Sequence, residues 1–224
     1  DFLANISHEL RSPLTVIVGY LEALQDSATN QDTEEIVTRL FSPVQRMRDL
    51  VEDLLTLTRL ESSPRPSIYD LNDVNVAKII DTISSEIKEL KDFNHVLEMS
   101  IDPATRALGI PEEIYSAINN LITNAVRYTP ARGRITIRWL KHGDACLFEV
   151  ADTGPGIAAE HLQHLTERFY RVDSPRIAKS GGTGLGLAIV KHILLRHESA
   201  LEINSVLGEG STFGFALRRS QSAI

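Results

Sequence analysis

Apolar residues recur every three or four positions along two successive stretches near the amino end, and this spacing constrains the fold more than any other feature. Ile6, Leu10, Leu14 or Pro13, Ile17, Leu21 and Leu24 form the first stripe; Ile36, Leu40, Val44, Met47, Val51 or Leu50, Leu54 and Leu57 form the second. Both have the period of an amphipathic helix. The polar run at 26–31 separates them, with Asp32 and Glu35 spaced to cap the second helix. Helices joined this closely form an antiparallel hairpin, and one hairpin cannot satisfy both stripes. Pairing of two hairpins into a dimeric four-helix bundle is the economical arrangement. Pro43 removes a donor from the second helix and predicts a kink or a local break.

The first stripe also fixes the outlook of His8. Two positions beyond Ile6, it lies about 200° around a helix at about 100° per residue, away from the packed face. An exposed imidazole beside the Glu9 carboxylate can act as a nucleophile whose other ring nitrogen is held or deprotonated; a solvated helical histidine is the plainer alternative. Ser12 stands one turn on, and Pro13 cannot donate the bond that would close onto the Glu9 carbonyl, so a loosened turn follows the histidine.

With 224 residues the chain can bury the core of one or two domains. A formal net charge of −7 disfavours direct binding to nucleic acid or anionic membranes. The single cysteine excludes an intrachain disulfide, and Cys146, set in an apolar run, reads as core. Neither a secretory signal nor an apolar run long enough for a bilayer is present. The chain opens in apparent helix without an initiating Met, as expected of a soluble part of a longer protein whose remainder could span a membrane.

Ser, Pro and Arg at 62–67 end the helical period and mark a hinge or domain boundary. Beyond it a short strand is expected over 70–76, a helix over 77–90, a strand through Val96, Met99 and Ile101, and a helix over 112–127. Alternation at Ile135, Ile137 and Trp139, then at Cys146, Phe148 and Val150, predicts adjacent strands around a turn at 141–144. A helix over 185–196 and a closing hairpin about Gly208, Glu209 and Gly210 complete a mixed helix-and-sheet unit.

Three segments of this unit carry chemistry. Asn120 and Asn124 share one helix face and offer amide oxygens acceptable to Mg²⁺, although paired asparagines more often cap or solvate. Asp152 ends a predicted strand just before Gly154, Pro155 and Gly156. Its carboxylate can accept a hydrogen bond from an exocyclic amine, and the glycines allow a sharp path near a ligand; the same pattern is also a common turn. The run Gly181-Gly182-Thr183-Gly184-Leu185-Gly186-Leu187 places backbone donors at the amino end of a helix, where phosphate binds. It fits neither a GxGxxG fingerprint nor a lysine-bearing P-loop. His161 and His164 lack the nearby Cys or paired carboxylate that would complete a metal site.

In order, these segments resemble the sensor histidine kinases. Ser7-His8-Glu9-Leu10-Arg11-Ser12-Pro13-Leu14 is similar to the family's H-box, the run from Asn120 to Pro130 to its N-box, and Asp152-Thr153-Gly154-Pro155-Gly156-Ile157 to its G1 box. Glu167-Arg168-Phe169-Tyr170-Arg171 resembles the F-box and the later glycine run the G2 box. The resemblance covers nearly the whole chain and implies an α+β fold. A dimerisation and histidine-phosphotransfer hairpin is expected over 1–63, a linker over 64–69 and a Bergerat-type α/β sandwich that binds ATP over 70–221.

The same resemblance implies site roles. His8 is the expected phospho-acceptor, Glu9 its acid/base partner, and Ser12 stands where many relatives carry the Thr of a phosphatase reaction. Asn124 is the expected Mg²⁺ ligand with Asn120 nearby, while Arg127 and Tyr128 line the nucleotide site and Asp152 recognises the adenine amino group beside Gly154 and Gly156. Residues 158–181 form a candidate lid, anchored by Phe169, with Arg168 or Arg171 meeting polyphosphate. Gly182, Thr183, Gly184, Leu185 and Gly186 surround the phosphates.

ATP and Mg²⁺ are thus the implied cofactors, and a homodimer and an Asp of a response-regulator receiver the implied partners. No direct nucleic-acid partner is expected, and the parent protein is expected to carry sensor and inner-membrane segments. The run 165–173, with Leu187-Ala188-Ile189-Val190-Lys191-His192 and His197-Glu198-Ser199, resembles the phosphate-regulon branch of the family. Ser12, Pro43 and Ile110-Pro111-Glu112-Glu113 depart from its commoner pattern. A chaperone-like ATPase with the same pocket would leave His8 without work, a nucleotide-binding scaffold would leave ATP intact, and a DNA-binding module lacks a recognition motif.

Overall fold

The computed structural model describes residues 2–26, 30–90, 93–172 and 182–220, without the side chains of 2–5, 7–8, 23, 25–26, 30–35 and 38. Two long helices, α1 (Phe2–Asp26) and α2 (Asn30–Ser62), pack side by side as the expected hairpin. Pro13 is buried while Leu14 is half exposed, and Leu50 is buried while Val51 is exposed, which settles the open positions of both stripes. Two expectations, of a local break and of a cap, fail. Helix α2 runs unbroken through Pro43, because one lost donor removes one bond and the flanking turns keep theirs. It also starts at Asn30, so Asp32 lies inside the first turns and not at the cap.

The second unit follows as β1 (Asn72–Val74), α3 (Val76–Lys88), β2 (Val96–Ile101), β3 (Ala107–Gly109), α4 (Pro111–Tyr128), β4 (Arg134–His142) and β5 (Ala145–Asp152). It ends with α5 (Ala159–Leu162), α6 (Gly186–Arg196), β6 (Glu202–Val206) and β7 (Gly210–Arg218). Asn75 caps α3, its Oδ1 accepting the Lys78 N–H at 3.1 Å. Strands β1 and β3 pair over three residues, too few for β3 to show a period in the sequence.

Five strands form a sheet in the order β2-β4-β5-β7-β6, with β2 parallel to β4 and the other pairs antiparallel. Its registers set Trp139 opposite Phe148 and Phe148 opposite Phe215, building one apolar face from alternate residues. Ile135, Ile137, Val150 and Leu217 extend that face, and the buried sides of α3, α4 and α6 join it in one core. Trp139 is fully buried with its Nε1–H donated to the Thr105 carbonyl at 3.1 Å. Cys146 is buried as expected, and burial pushes its thiol up to about 11, which leaves little thiolate at neutral pH.

The expected hinge at 62–67 is pinned at its start. Arg196 donates through one guanidinium nitrogen to the carbonyls of Ser63 (3.1 Å) and Pro64 (2.6 Å), and pairs with the buried Glu113 at 3.0 Å. A guanidinium fork shared between a carboxylate and two carbonyls fixes the end of α2 to α4 and α6.

Phe148 and Phe215, with ring centroids 5.1 Å apart, stand at the centre of this packing. Phe148→Ala is expected to lower the unfolding free energy by about 3–5 kcal/mol in urea denaturation. A loss under about 1 kcal/mol would contradict the packing described.

Candidate functional site

Helix α4 buries Ile114, Ile118, Leu121, Ile122 and Ala125, and the helical period then turns Asn120, Asn124 and Arg127 to another side. There, with Tyr128, they line a cavity of about 310 Å³. Leu165, Val172, Ile157 and Phe213 make its apolar lining. Asn120 donates its amide to the Ser116 carbonyl at 2.9 Å, which leaves the amide oxygen facing the Gly186 backbone.

The sheet supplies the next wall. Register places Asp152 opposite Ser211 at the end of β5, in the cavity lining. Its Oδ1 accepts the Gly154 N–H at 2.7 Å. Burial raises the Asp152 carboxyl above the usual range, and backbone donors at Gly154 and Ser211 pull it partly back. Gly154 is buried behind Asp152, whereas Gly156 reaches the cavity. Gly156 has φ +66°, and a Cβ there would lie 2.0 Å from the Val206 carbonyl oxygen, so only glycine permits this turn against the β6–β7 hairpin.

Gly182, Thr183, Gly184 and Gly186 form the opposite wall at the amino end of α6, with Gly182 against the Arg127 guanidinium. Leu185 is buried beneath them and its N–H donates to Thr183 Oγ1 at 3.2 Å. Gly184, at φ +75°, lies against Phe169, whose N–H donates to the Gly184 carbonyl at 2.9 Å. The segment that carries Phe169 is tied to the glycine turn through that bond. Arg171 lines the cavity. Arg168 does not; it sits beside Lys191 and His192 and pairs with Glu61 of α2. His161 shares a hydrogen bond with the Tyr170 hydroxyl (2.8 Å) and His164 with Glu167 (2.6 Å), so both imidazoles brace this loop. Residues 173–181, including Gly181 and the end of the candidate lid, lie outside the described residues.

On the hairpin, the His8 side chain lies outside the described residues, although its backbone is helical. Glu9 is paired with Arg46 of α2 at 3.3 Å, and Ser12 is exposed one turn away. Three α2 residues at this site escaped the sequence reading. Arg46 holds Glu9, while Asp49 and Asp53 line the cavity itself. Their four-residue spacing marks one helix face, but nothing in it reveals which surface that face meets.

A half-buried acceptor at one end, an apolar middle, and a glycine turn at a helix amino end with Arg127 and Arg171 beside it fit a base joined to a phosphate chain. Asn124 presents an amide oxygen of the kind that Mg²⁺ takes. Residues 1–63 match the His Kinase A (phospho-acceptor) domain and residues 109–221 the histidine kinase-, DNA gyrase B- and HSP90-like ATPase. The chain belongs to the sensor histidine kinases.

Its two matched domains are those of an ATP-dependent protein-histidine kinase. The phosphate regulon sensor protein PhoR of Pseudomonas aeruginosa is 47% identical to the kinase over 218 residues, covering 95% of this chain and 48% of that protein. The PhoR protein of Haemophilus influenzae is 39% identical over 217 residues, covering 96% and 50%. The chain therefore spans about half the length of these relatives. The solved Acinetobacter baumannii histidine kinase AdeS shares the fold, with TM-score 0.73 and 23% identity over 96% of this chain and 98% of that one. So does histidine kinase ThkA, solved in complex with response regulator protein TrrA, at TM-score 0.78 and 19% identity over 98% of this chain and 61% of that one. No helix among the described residues is long and apolar enough to cross a membrane.

The raised carboxyl of Asp152 gives a stability signature. Because it binds its proton more tightly in the folded chain, ionising it costs folding free energy; the cost is absent well below the ordinary value of 3.8 and complete above the raised one. Asp152→Asn keeps an acceptor for Gly154 without the charge. The variant is expected to have a higher thermal midpoint than the wild type at about pH 7 and the same midpoint at about pH 3. A lower midpoint at both pH values would contradict the assigned cause.

Proposed function

We propose that the chain is the core of a two-component sensor kinase that autophosphorylates His8 from ATP and passes the phosphoryl group to an Asp of a response-regulator receiver. The observation that carries this reading is the cavity, which joins a half-buried carboxylate, an apolar slot and a glycine turn at a helix amino end in the same chain as the His8-Glu9 pair. Asp152 accepts the adenine amino group, Tyr128 and Ile157 flank the base, and Arg127, Arg171 and the turn from Gly182 to Gly186 take the phosphates. Mg²⁺ held by Asn124, with Asn120 nearby, neutralises phosphoryl charge when bound.

The chain's own residues then do the following. An imidazole nitrogen of neutral His8 forms a bond to the γ-phosphorus as the bond to the bridging oxygen breaks, and ADP leaves with that oxygen and its electron pair. Glu9, oriented by Arg46, takes the proton from the other ring nitrogen. Transfer to a receiver Asp breaks the N–P bond and restores the imidazole. The Ser12 hydroxyl, exposed one turn along, supports a phosphatase reaction by orienting water.

Exposed Leu14, Val18, Leu21, Phe41, Val44 and Leu55 on the hairpin support the homodimeric four-helix bundle. The likeness to PhoR proteins supports a role in phosphate-regulon signalling within a bacterial inner-membrane parent, with this part on the cytoplasmic side. The boundaries we favour are a hairpin domain over 1–63, a linker over 64–69 and an ATP-binding domain over 70–221.

Incubation with γ-labelled ATP and Mg²⁺ tests the reading. The intact chain is expected to take up protein-bound label that survives alkali and is lost in acid; His8→Gln is expected to abolish it, and Asn124→Ala to reduce it by about 100-fold or more. Unchanged labelling in His8→Gln would remove the assignment of the acceptor. Transfer to a phosphate-regulon regulator is expected to outpace transfer to unrelated receivers, and equal rates would remove the pathway assignment.

A further inference from the structure

Helix α2 lays an acidic face over the cavity, and phosphate transfer does not account for it. Thr183 donates its hydroxyl to Asp53 Oδ2 at 2.6 Å, and Asp49 and Asp53 line the same space as Gly182, Gly184 and Arg127. Burial raises the Asp53 carboxyl; the Thr183 hydrogen bond lowers it, Asp49 raises it and Arg127 lowers it. A half-buried carboxylate that takes a hydroxyl from a glycine turn at a helix amino end, within the field of a guanidinium, is surrounded as a phosphate oxygen would be.

We propose that Asp53 is an intramolecular competitor for the phosphate chain of the nucleotide. In the docked arrangement its carboxylate occupies the Thr183 and Arg127 end of the cavity, and the polyphosphate and α2 exclude each other there. The proposal rests on the nucleotide reading above. Like charges sharing one partly desolvated end repel, so a bound triphosphate must drive Asp53 out.

The docking has a second attachment outside the cavity. Eight residues along the same helix, about 12 Å at 1.5 Å per residue, Glu61 pairs with Arg168 and with His192 Nε2, the latter at 3.2 Å. Contacts between α2 and α6 hold these two attachments on one rigid element. Loosening either therefore favours the state that admits phosphate, and by reciprocity a bound triphosphate favours release of α2 from the turn. Release would free the ATP-binding unit to move relative to the hairpin, so nucleotide occupancy and domain position are coupled through one carboxylate.

Calorimetric titration of the intact chain with the β,γ-imido analogue of ATP plus Mg²⁺, and separately with adenosine, tests this. Asp53→Asn is expected to tighten the triphosphate analogue by about tenfold, the change carried by one charge-assisted hydrogen bond, and to leave adenosine within about twofold. Glu61→Gln, which touches nothing in the cavity, is expected to tighten the analogue in the same direction and reads the competition even if the Asp53 change perturbs α2. Unchanged or weaker triphosphate binding in either variant would overturn the competition while leaving the nucleotide site intact. Failure of the wild type and both variants to bind either ligand would overturn the nucleotide reading, and the competition with it.

Discussion

Ile114, Ile118, Leu121, Ile122 and Ala125 bury one side of α4 against the sheet and its neighbouring helices, and each large side chain so placed contributes about 1.5–3 kcal/mol. That burial fixes the rotation of the helix, since turning it by one residue would expose the stripe and bury amides. Asn120, Asn124 and Arg127 owe their direction to it. The sheet is held equally firmly: the pairing of Val150 with Ile137 on one side and Phe213 on the other sets the register that delivers Asp152 to the strand end beside them. The cavity is the space left between two elements whose positions are dictated by apolar packing.

The attachment of the hairpin is mixed. Leu57 and Leu60 of α2 are buried in the same core as α4 and α6, and beside them stand hydroxyl, carboxylate, imidazole and guanidinium groups at Asp53, Glu61, Thr183, His192 and Arg168. Water can satisfy the polar part of this contact equally well when the surfaces part, which suits domains that change partners. Arg196 sets where movement is resisted, because its bonds to Ser63, Pro64 and Glu113 carry the first linker residues with the ATP-binding unit.

Much of this was legible in the sequence. The 3.6-residue period located α1, α2, α4 and α6, the alternation in β4 and β5 located the central hairpin, and the ordered motifs brought Asn120, Asn124, Arg127, Tyr128, Asp152 and the later glycines to one cavity. What escaped depends on contacts between elements distant in sequence. Whether Pro13 or Leu14 faces the neighbouring helix is decided by α2, and the placing of Arg168 on Glu61 away from the cavity depends on the docking of the hairpin. Asp49 and Asp53 entered the site for the same reason. The three residues of β3 were too few for any period, and Pro43 failed to break α2 because the turns on both sides remain bonded.

The most direct measurement is hydrogen–deuterium exchange of the intact chain with and without Mg²⁺ and a non-hydrolysable ATP analogue, read segment by segment. Slower exchange is expected at 120–128 and 182–187, the two walls that would close on the base and the phosphates. Unchanged exchange in both segments, with protection confined to other parts of the chain, would contradict the assignment of the cavity as the nucleotide site.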